Sequence, residues 1–430
     1  MLLNFVLAIV VLLIAYVCLV LVLRVLGVTS IPLKGRTAVL EKETRLCGET
    51  FTPAMGLWAA VWGILALMTV YGAGLVYCAV TQGGVSLEDL YKIWSHSDAV
   101  HYRKLAELGY HGYVEDGQHL FLVFFPLYPW LVHLLQFLIR DYSLCGHLLS
   151  ALCYVNGCYV LARLVTEDFG WEIARKSLLL FSAYPFAFFF AGMFTESLFF
   201  LLSVSTFYFI RKHRYLLAGL TGALAALTRM QGMFLLFAAL AEYAAADMPL
   251  RKLKERDRQG LWRDLRFKIA PVFLMLLGVA VYLWLNYDVE GDPFRFSFYQ
   301  RDHWFQHFVP LPECLSTIWN NLAYSGNVKL VFTVWLPDLA VFLLCMAGLL
   351  YAVRRLPVAW AAYLLLCIVI NYSLSWPLSC GRYIACAFPL PVAVAAASRR
   401  RPPLGQTAVF VFAVLQGVFL LIFLSTGAIY

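Results

Sequence analysis

The sequence predicts an all-α polytopic membrane protein of about twelve transmembrane helices, with further short helices lying along its outer face. Three observations predict it. The 430 residues are 62% hydrophobic and 13% charged, with a mean hydropathy of +0.76, against about 45–50% apolar and about 25% charged in a soluble domain. The apolar residues fall in long unbroken runs, which suit helices rather than the short alternating strands of a barrel. The basic residues gather between those runs, at 34–36, 211–214, 251–268, 354–355 and 399–401, as at the cytoplasmic ends of a multi-span protein. That placement also argues against reading the net charge of +8 as a nucleic-acid surface.

Candidate spans are 1–26, 54–80, 143–162, 177–192, 194–210, 215–228, 231–246, 269–288, 333–353, 357–375, 383–398 and 405–427. Residues 1–26 are too long and too uniformly apolar for a cleaved leader and read as a retained span. Lys34, Arg36, Lys42 and Arg45 place the first loop inside, so 54–80 runs outward. The stretch "FLVFFPLYPW" carries two prolines that break a helix early. Residues 120–140 therefore read as a juxtamembrane or re-entrant segment on the outer side, which keeps Arg163, Arg175 and Lys176 inside.

The chain is one integral domain with four parts. Residues 1–53 form an extra span and its loop, and 54–246 a catalytic-type module with outer loop 81–142. Residues 247–268 form a cytoplasmic amphipathic segment, and 269–430 the last spans with outer loop 289–332. The run "RKLKERDRQGLWRDLRFK" reads as a surface helix on anionic lipid, anchored by Trp262. Most of the eleven cysteines lie in apolar runs, without metal-type spacing. Cys314 and Cys380 fall in outer loops where they could pair, although nothing in the spacing requires it.

With this orientation every polar constellation emerges outside. In "WSHSDAVHYRKLAELGY", Asp98 has His101 and Tyr102 three and four residues on, on one helical face. Asp98 is either a base at the mouth of a cavity or, with Ser97, an ordinary helix cap. Glu196 sits in "AGMFTESLFF", as a functional carboxylate at membrane depth or as a turn cap. Arg229 interrupts "GALAALTRMQGMFLL". At the bilayer centre it would cost about 2.5–3.5 kcal/mol, so a phosphate or a carboxylate such as Glu196 must offset it. The loop "GDPFRFSFYQRDHWFQHF" mixes Gln300, Arg301 and Trp304 with further aromatics, fitting either sugar and phosphate recognition or an interfacial aromatic belt. Arg382 and Tyr383 in "SCGRY" start a span, where the arginine is an anion site or a snorkelling anchor. Together they describe a phosphate-friendly cavity with apolar walls, suited to a ligand that carries a lipid tail.

The sequence resembles the PIG-V-type mannosyltransferases, a family within the GT-C glycosyltransferases. The resemblance is carried by "SDAVHYRKLAELGY", "FFPLYP", "YPFAFFFAGMFTESLFF", "LTRMQG", "GDPFRFSFYQRDHW" and "GRYIACAFPL", in order along the chain. Ser97 stands where the family has tryptophan, so the surroundings of Asp98 depart from the family's. The long luminal insertions of eukaryotic members are missing, which with the 430-residue length points to a bacterial-type member in a plasma membrane. The resemblance implies inverting transfer of a sugar, mannose above all, from a polyprenyl-phosphate donor to a hydroxyl of a glycolipid, glycan or protein. It implies Asp98 as general base, and Arg229, Arg382 and Arg301 on the lipid phosphate. His101, Tyr102, Glu196, Gln300, Trp304 and Tyr383 would contact substrate, with no metal or other cofactor. A transporter of lipid-linked sugars would show related halves with matching broken helices, and no such symmetry is evident. A non-catalytic subunit of a glycosyltransferase complex is the third reading.

Overall fold

The computed structural model describes residues 2–28, 30–33, 36–39, 48–83, 86–399 and 401–426. Lys34, Lys42 and Arg45, which orient the first loop in sequence, and Arg400 lie outside the described residues. The fold is helical, with one small antiparallel hairpin in which β1 (Ser30–Leu33) pairs with β2 (Arg36–Val39).

The helices follow in order. The first are α1 (Leu2–Val25), α2 (Pro53–Gln82), α3 (Leu87–Trp94), α4 (Asp98–Gly112), α5 (Leu127–Ile139), α6 (Tyr142–Phe169) and α7 (Trp171–Ala183). Then come α8 (Glu196–Arg211), α9 (Tyr215–Thr228), α10 (Phe234–Asp247), α11 (Pro249–Lys254), α12 (Arg258–Asp264), α13 (Ala270–Val272) and α14 (Met275–Glu290). The last are α15 (Arg295–Asp302), α16 (Leu311–Tyr324), α17 (Val328–Leu330), α18 (Leu336–Arg355), α19 (Val358–Asn371), α20 (Cys380–Ala385), α21 (Pro389–Ser398) and α22 (Pro402–Thr426).

Five helical stretches among the described residues are long and apolar enough to cross a bilayer: Leu3–Val25, Pro53–Gln82, Tyr142–Phe169, Val328–Arg355 and Pro402–Thr426. A sixth forms if the bent pair Arg258–Val272 and Met275–Glu290 counts as one. The rest are shorter. Helices of 13 or 14 residues such as α5, α9 and α19 reach only about 20 Å at 1.5 Å per residue, so length alone does not reproduce the expected count of about twelve. α5, at 13 residues, is too short to cross alone.

Three predicted spans are broken, 269–288 by the bend between α13 and α14. Residues 177–192 are not one helix: α7 ends at Ala183 and residues 184–195 fold into a buried irregular segment. Irregular backbone is tolerated at such depth only when protein covers it and its polar groups are paired. Ser197 donates to the Phe190 carbonyl at 2.6 Å, and Tyr71 donates to that of Ala191. Residues 383–398 likewise split into α20 and α21 around Phe388, just before Pro389. The expected single amphipathic helix at 251–268 is two short helices, broken at Arg256, which has a positive φ of 57°. Its exposed Leu253, Trp262 and Phe267 still stand among the arginines.

Helices meet where small residues let backbones approach, as lipid offers no hydrophobic drive for association. α6 packs on α2, α7 and α8, and α9 lies between α8 and α14. A Cβ on Gly278 of α14 would sit 2.0 Å from the Ala223 carbonyl oxygen of α9. Gly278→Ala therefore forces the two helices apart, and its thermal midpoint in detergent falls by several degrees; an unchanged midpoint would show that this contact is not tight.

The helix ends sort the polar chemistry. The C-termini of α9 and α19 and the N-termini of α4, α8 and α18 converge on one end of the bundle. The opposite end carries Arg24, Arg163, Arg211 and Lys212. Arg24 caps α18 through the Val353 and Leu356 carbonyls, at 2.7 and 2.9 Å. Arg211 joins Asp168 at 2.8 Å and also Glu242, while Lys212 reaches Glu167 at 2.6 Å.

Candidate active site

The polar end opens into a cavity of about 920 Å³, the size of a site for a substantial organic ligand. Asp98 is the first residue of α4, and its side chain is 31% exposed on the cavity wall. The residue before it is strained: Ser97 has φ 54° and ψ −136°, and its side chain makes no capping hydrogen bond. A non-glycine residue there costs on the order of 1–3 kcal/mol and persists when its surroundings dictate it. The cap reading of Ser97 therefore fails, and the Asp98 carboxylate that follows it meets Arg382.

Arg382 Nη1 donates to Asp98 Oδ2 at 2.7 Å, across 284 residues of sequence. Its Nε donates to Glu196 Oε1 at 2.5 Å. The same Glu196 oxygen lies 2.8 Å from Arg229 Nη1, which also donates to Thr195 Oγ1 at 3.3 Å. Four charges, two of each sign, thus form a continuous chain Asp98, Arg382, Glu196, Arg229. Glu196 is fully buried, and Arg382 and Arg229 are almost so. Phe189 and Phe194 lie under the Arg382 guanidinium at 4.4 and 4.8 Å, and Tyr383 under that of Arg229 at 5.2 Å. Gly232 lets the chain turn tightly after Arg229: a Cβ there would lie 2.3 Å from the Ala226 nitrogen.

Asp98, His101, Tyr102, Arg229, Gln300, Arg301, Trp304, Arg382 and Tyr383 all line this one cavity. Glu196 does not: it stands behind the arginines and holds them. The pairing of Arg229 with a carboxylate, one of its two sequence readings, is what the structure holds, and the paired arginine still faces the cavity.

His101 does not bond Asp98. Its Nδ1 meets the Tyr113 hydroxyl at 3.0 Å and its ring stacks on Phe121 at 4.3 Å. Burial pushes this imidazole below its usual pKa, so it is neutral near pH 7 and brings no positive charge to an anion. Tyr102 packs edge-on against Phe124 and Tyr128. Gln300 donates to Gln306 at 2.6 Å, and Gln306 to the Trp376 carbonyl at 2.9 Å. Trp304 abuts Phe121 and Phe124. Arg301 pairs with its neighbour Asp302 at 3.2 Å and is largely exposed.

Three contributors were missed from sequence. Gln231 and Asn371 line the cavity, with Gln231 donating to Asn371 at 3.2 Å. Asp338, buried in α18, accepts the Gly381 N–H at 2.8 Å and so fixes the turn that presents Arg382. Each is a single polar residue at the edge of an apolar run, and that interruption was the available signal.

Residues 125–260 match the family model described as dolichyl-phosphate-mannose-protein mannosyltransferase. The match covers about a third of the chain and includes Glu196 and Arg229, but neither Asp98 nor Arg382. It supports a membrane glycosyltransferase of the GT-C, mannosyltransferase-like kind, in agreement with a multi-pass helical fold. No curated protein and no solved structure matches the chain.

Proposed function

We propose that the protein transfers a sugar, mannose by the family match, from a polyprenyl-phosphate donor to an acceptor hydroxyl, with inversion and with Asp98 as general base. The observation that carries the proposal is the direct contact of Asp98 with Arg382 on the wall of a cavity roofed by aromatics. The motifs around Asp98, Glu196, Arg229 and Arg382 favour a PIG-V-type enzyme within the broader class. The basic clusters at the opposite end of the bundle favour a site on the exoplasmic side.

The charge chain suits this chemistry. A sugar phosphodiester arrives with one negative charge, and the lipid phosphate leaves with up to two. As the acceptor oxygen bonds to the anomeric carbon, its proton passes to Asp98. The bond from that carbon to the phosphate oxygen breaks, and the electron pair stays with the phosphate. A protonated Asp98 no longer neutralises Arg382, whose Nη1 becomes free for the phosphate as the second charge appears. The cluster moves from neutral to positive in step with the leaving group, the differential stabilisation that catalysis needs.

Purified protein in nanodiscs should release the labelled sugar from polyprenyl-phosphate mannose to an acceptor from a membrane extract, and ignore nucleotide sugars. Movement of the intact donor across the bilayer without transfer would instead mark a transporter. Trp304→Ala removes part of the aromatic wall formed with Phe121 and Phe124. It should raise KM for the donor by up to about tenfold with kcat little changed; a loss confined to kcat would place Trp304 in the chemistry.

A further inference from the structure

Cys314 and Cys380 lie 66 residues apart in sequence and meet in the fold. Cys314 is on α16 and Cys380 opens α20, two residues before Arg382. Both are fully buried free thiols, close enough for each to perturb the other's titration. The Cys380 sulfur also lies 3.1 Å from the Asn371 carbonyl. The segments that carry them are already laced together. Phe308 and Leu374 form an antiparallel bridge, Val309 N–H donates to the Ser373 carbonyl at 3.1 Å, and Ser375 N–H to that of His307 at 2.9 Å. This ladder is also a cavity wall, through His307, Phe308, Leu374 and Trp376. Cys145, Cys153, Cys158, Cys345 and Cys367, free and buried as well, differ in position, sitting within the bundle helices α6, α18 and α19.

We propose that Cys314 and Cys380 form a disulfide that clamps the α16 loop to the turn presenting Arg382. The inference rests on the proposed exoplasmic placement of the site, where disulfides form and persist. The oxidant is a dithiol oxidase of that compartment. The Cys314 thiolate attacks one sulfur of the oxidase disulfide, and Cys380 resolves the mixed disulfide. Two protons are released and the oxidase leaves as its dithiol. Because both sulfurs are buried in the finished fold, the bond closes as the chain folds, before α16 seats. It would make the geometry around Arg382 independent of the outer loop's local opening.

The test denatures whole cells expressing the full chain in N-ethylmaleimide, so that buried free thiols are trapped too. Peptides are then mapped without reduction. The expected result is a linked pair of peptides containing Cys314 and Cys380, and a thermal midpoint several degrees lower in Cys314→Ser. Maleimide on both residues, or a link from either to another cysteine, overturns the proposal. Sidedness is read separately from Tyr324→Cys, an exposed position on α16, with a membrane-impermeant maleimide. Labelling from outside with free Cys314 and Cys380 rejects the disulfide alone. Protection from that reagent in intact cells, with labelling after lysis, rejects the placement and the disulfide together.

Discussion

Asp98→Asn keeps its thermal midpoint within a few degrees of the parent and loses about 10²–10⁴-fold in kcat. The small stability cost follows from the surroundings: Asp98 is partly open to the cavity, and Arg382 keeps its 2.5 Å contact with Glu196 when the Asp98 charge is gone. The large kinetic cost follows from the proposed role, because an amide cannot take the acceptor's proton. Donor binding gives an independent sign. The substitution leaves the four-residue cluster with one net positive charge, so affinity for polyprenyl phosphate should stay level or rise. A structural role would lower stability, affinity and turnover together. Full activity in the variant would remove Asp98 from the mechanism.

Glu196→Ala has the opposite signature. One Glu196 oxygen serves both Arg382 and Arg229, and all three side chains are buried. Removing it leaves two guanidiniums in an apolar interior with only Asp98 to offset them. Deleting one partner of a buried ion pair costs about 3–5 kcal/mol, a large fraction of a typical folding stability. The expected result is a sharp fall in the yield of folded protein and in thermal midpoint. Added polyprenyl phosphate should recover part of that midpoint, because its anion meets the same arginines. A variant as stable as the parent would show that the arginines find other partners and that Glu196 is not their anchor.

The long spans were legible because a run of about twenty apolar residues matches the thickness of a bilayer's hydrocarbon core, as in α2, α6 and α22. Residues 184–195 and the break between α20 and α21 were not. Hydropathy measures removal from water, and a protein interior removes a phenylalanine from water as well as lipid does. The break after Thr228 was readable because Arg229 and Gly232 interrupt an apolar run, and the structure divides α9 from α10 there. Within the site, sequence separately marked Asp98, Glu196, Arg229 and Arg382. Their assembly into one chain of charges depends on contacts across 186 and 284 residues, which local pattern does not encode. For the same reason His101, a helical neighbour of Asp98 in the pattern, turns to Tyr113 instead. Asp338 interrupts its apolar run visibly, but its partner, the Gly381 N–H, carries no mark in the sequence.

If the protein works as proposed, this cavity holds a lipid phosphate beside Asp98. An electron cryo-microscopy structure of the full chain in nanodiscs with polyprenyl phosphate tests that most directly. The expected map shows phosphate density within hydrogen-bond distance of Arg382 or Arg229, the prenyl chain leaving past the aromatic wall, and the Asp98 carboxylate facing the space where the sugar would sit. Phosphate bound elsewhere, with Asp98 and Arg382 still joined over an empty cavity at saturating ligand, would contradict it.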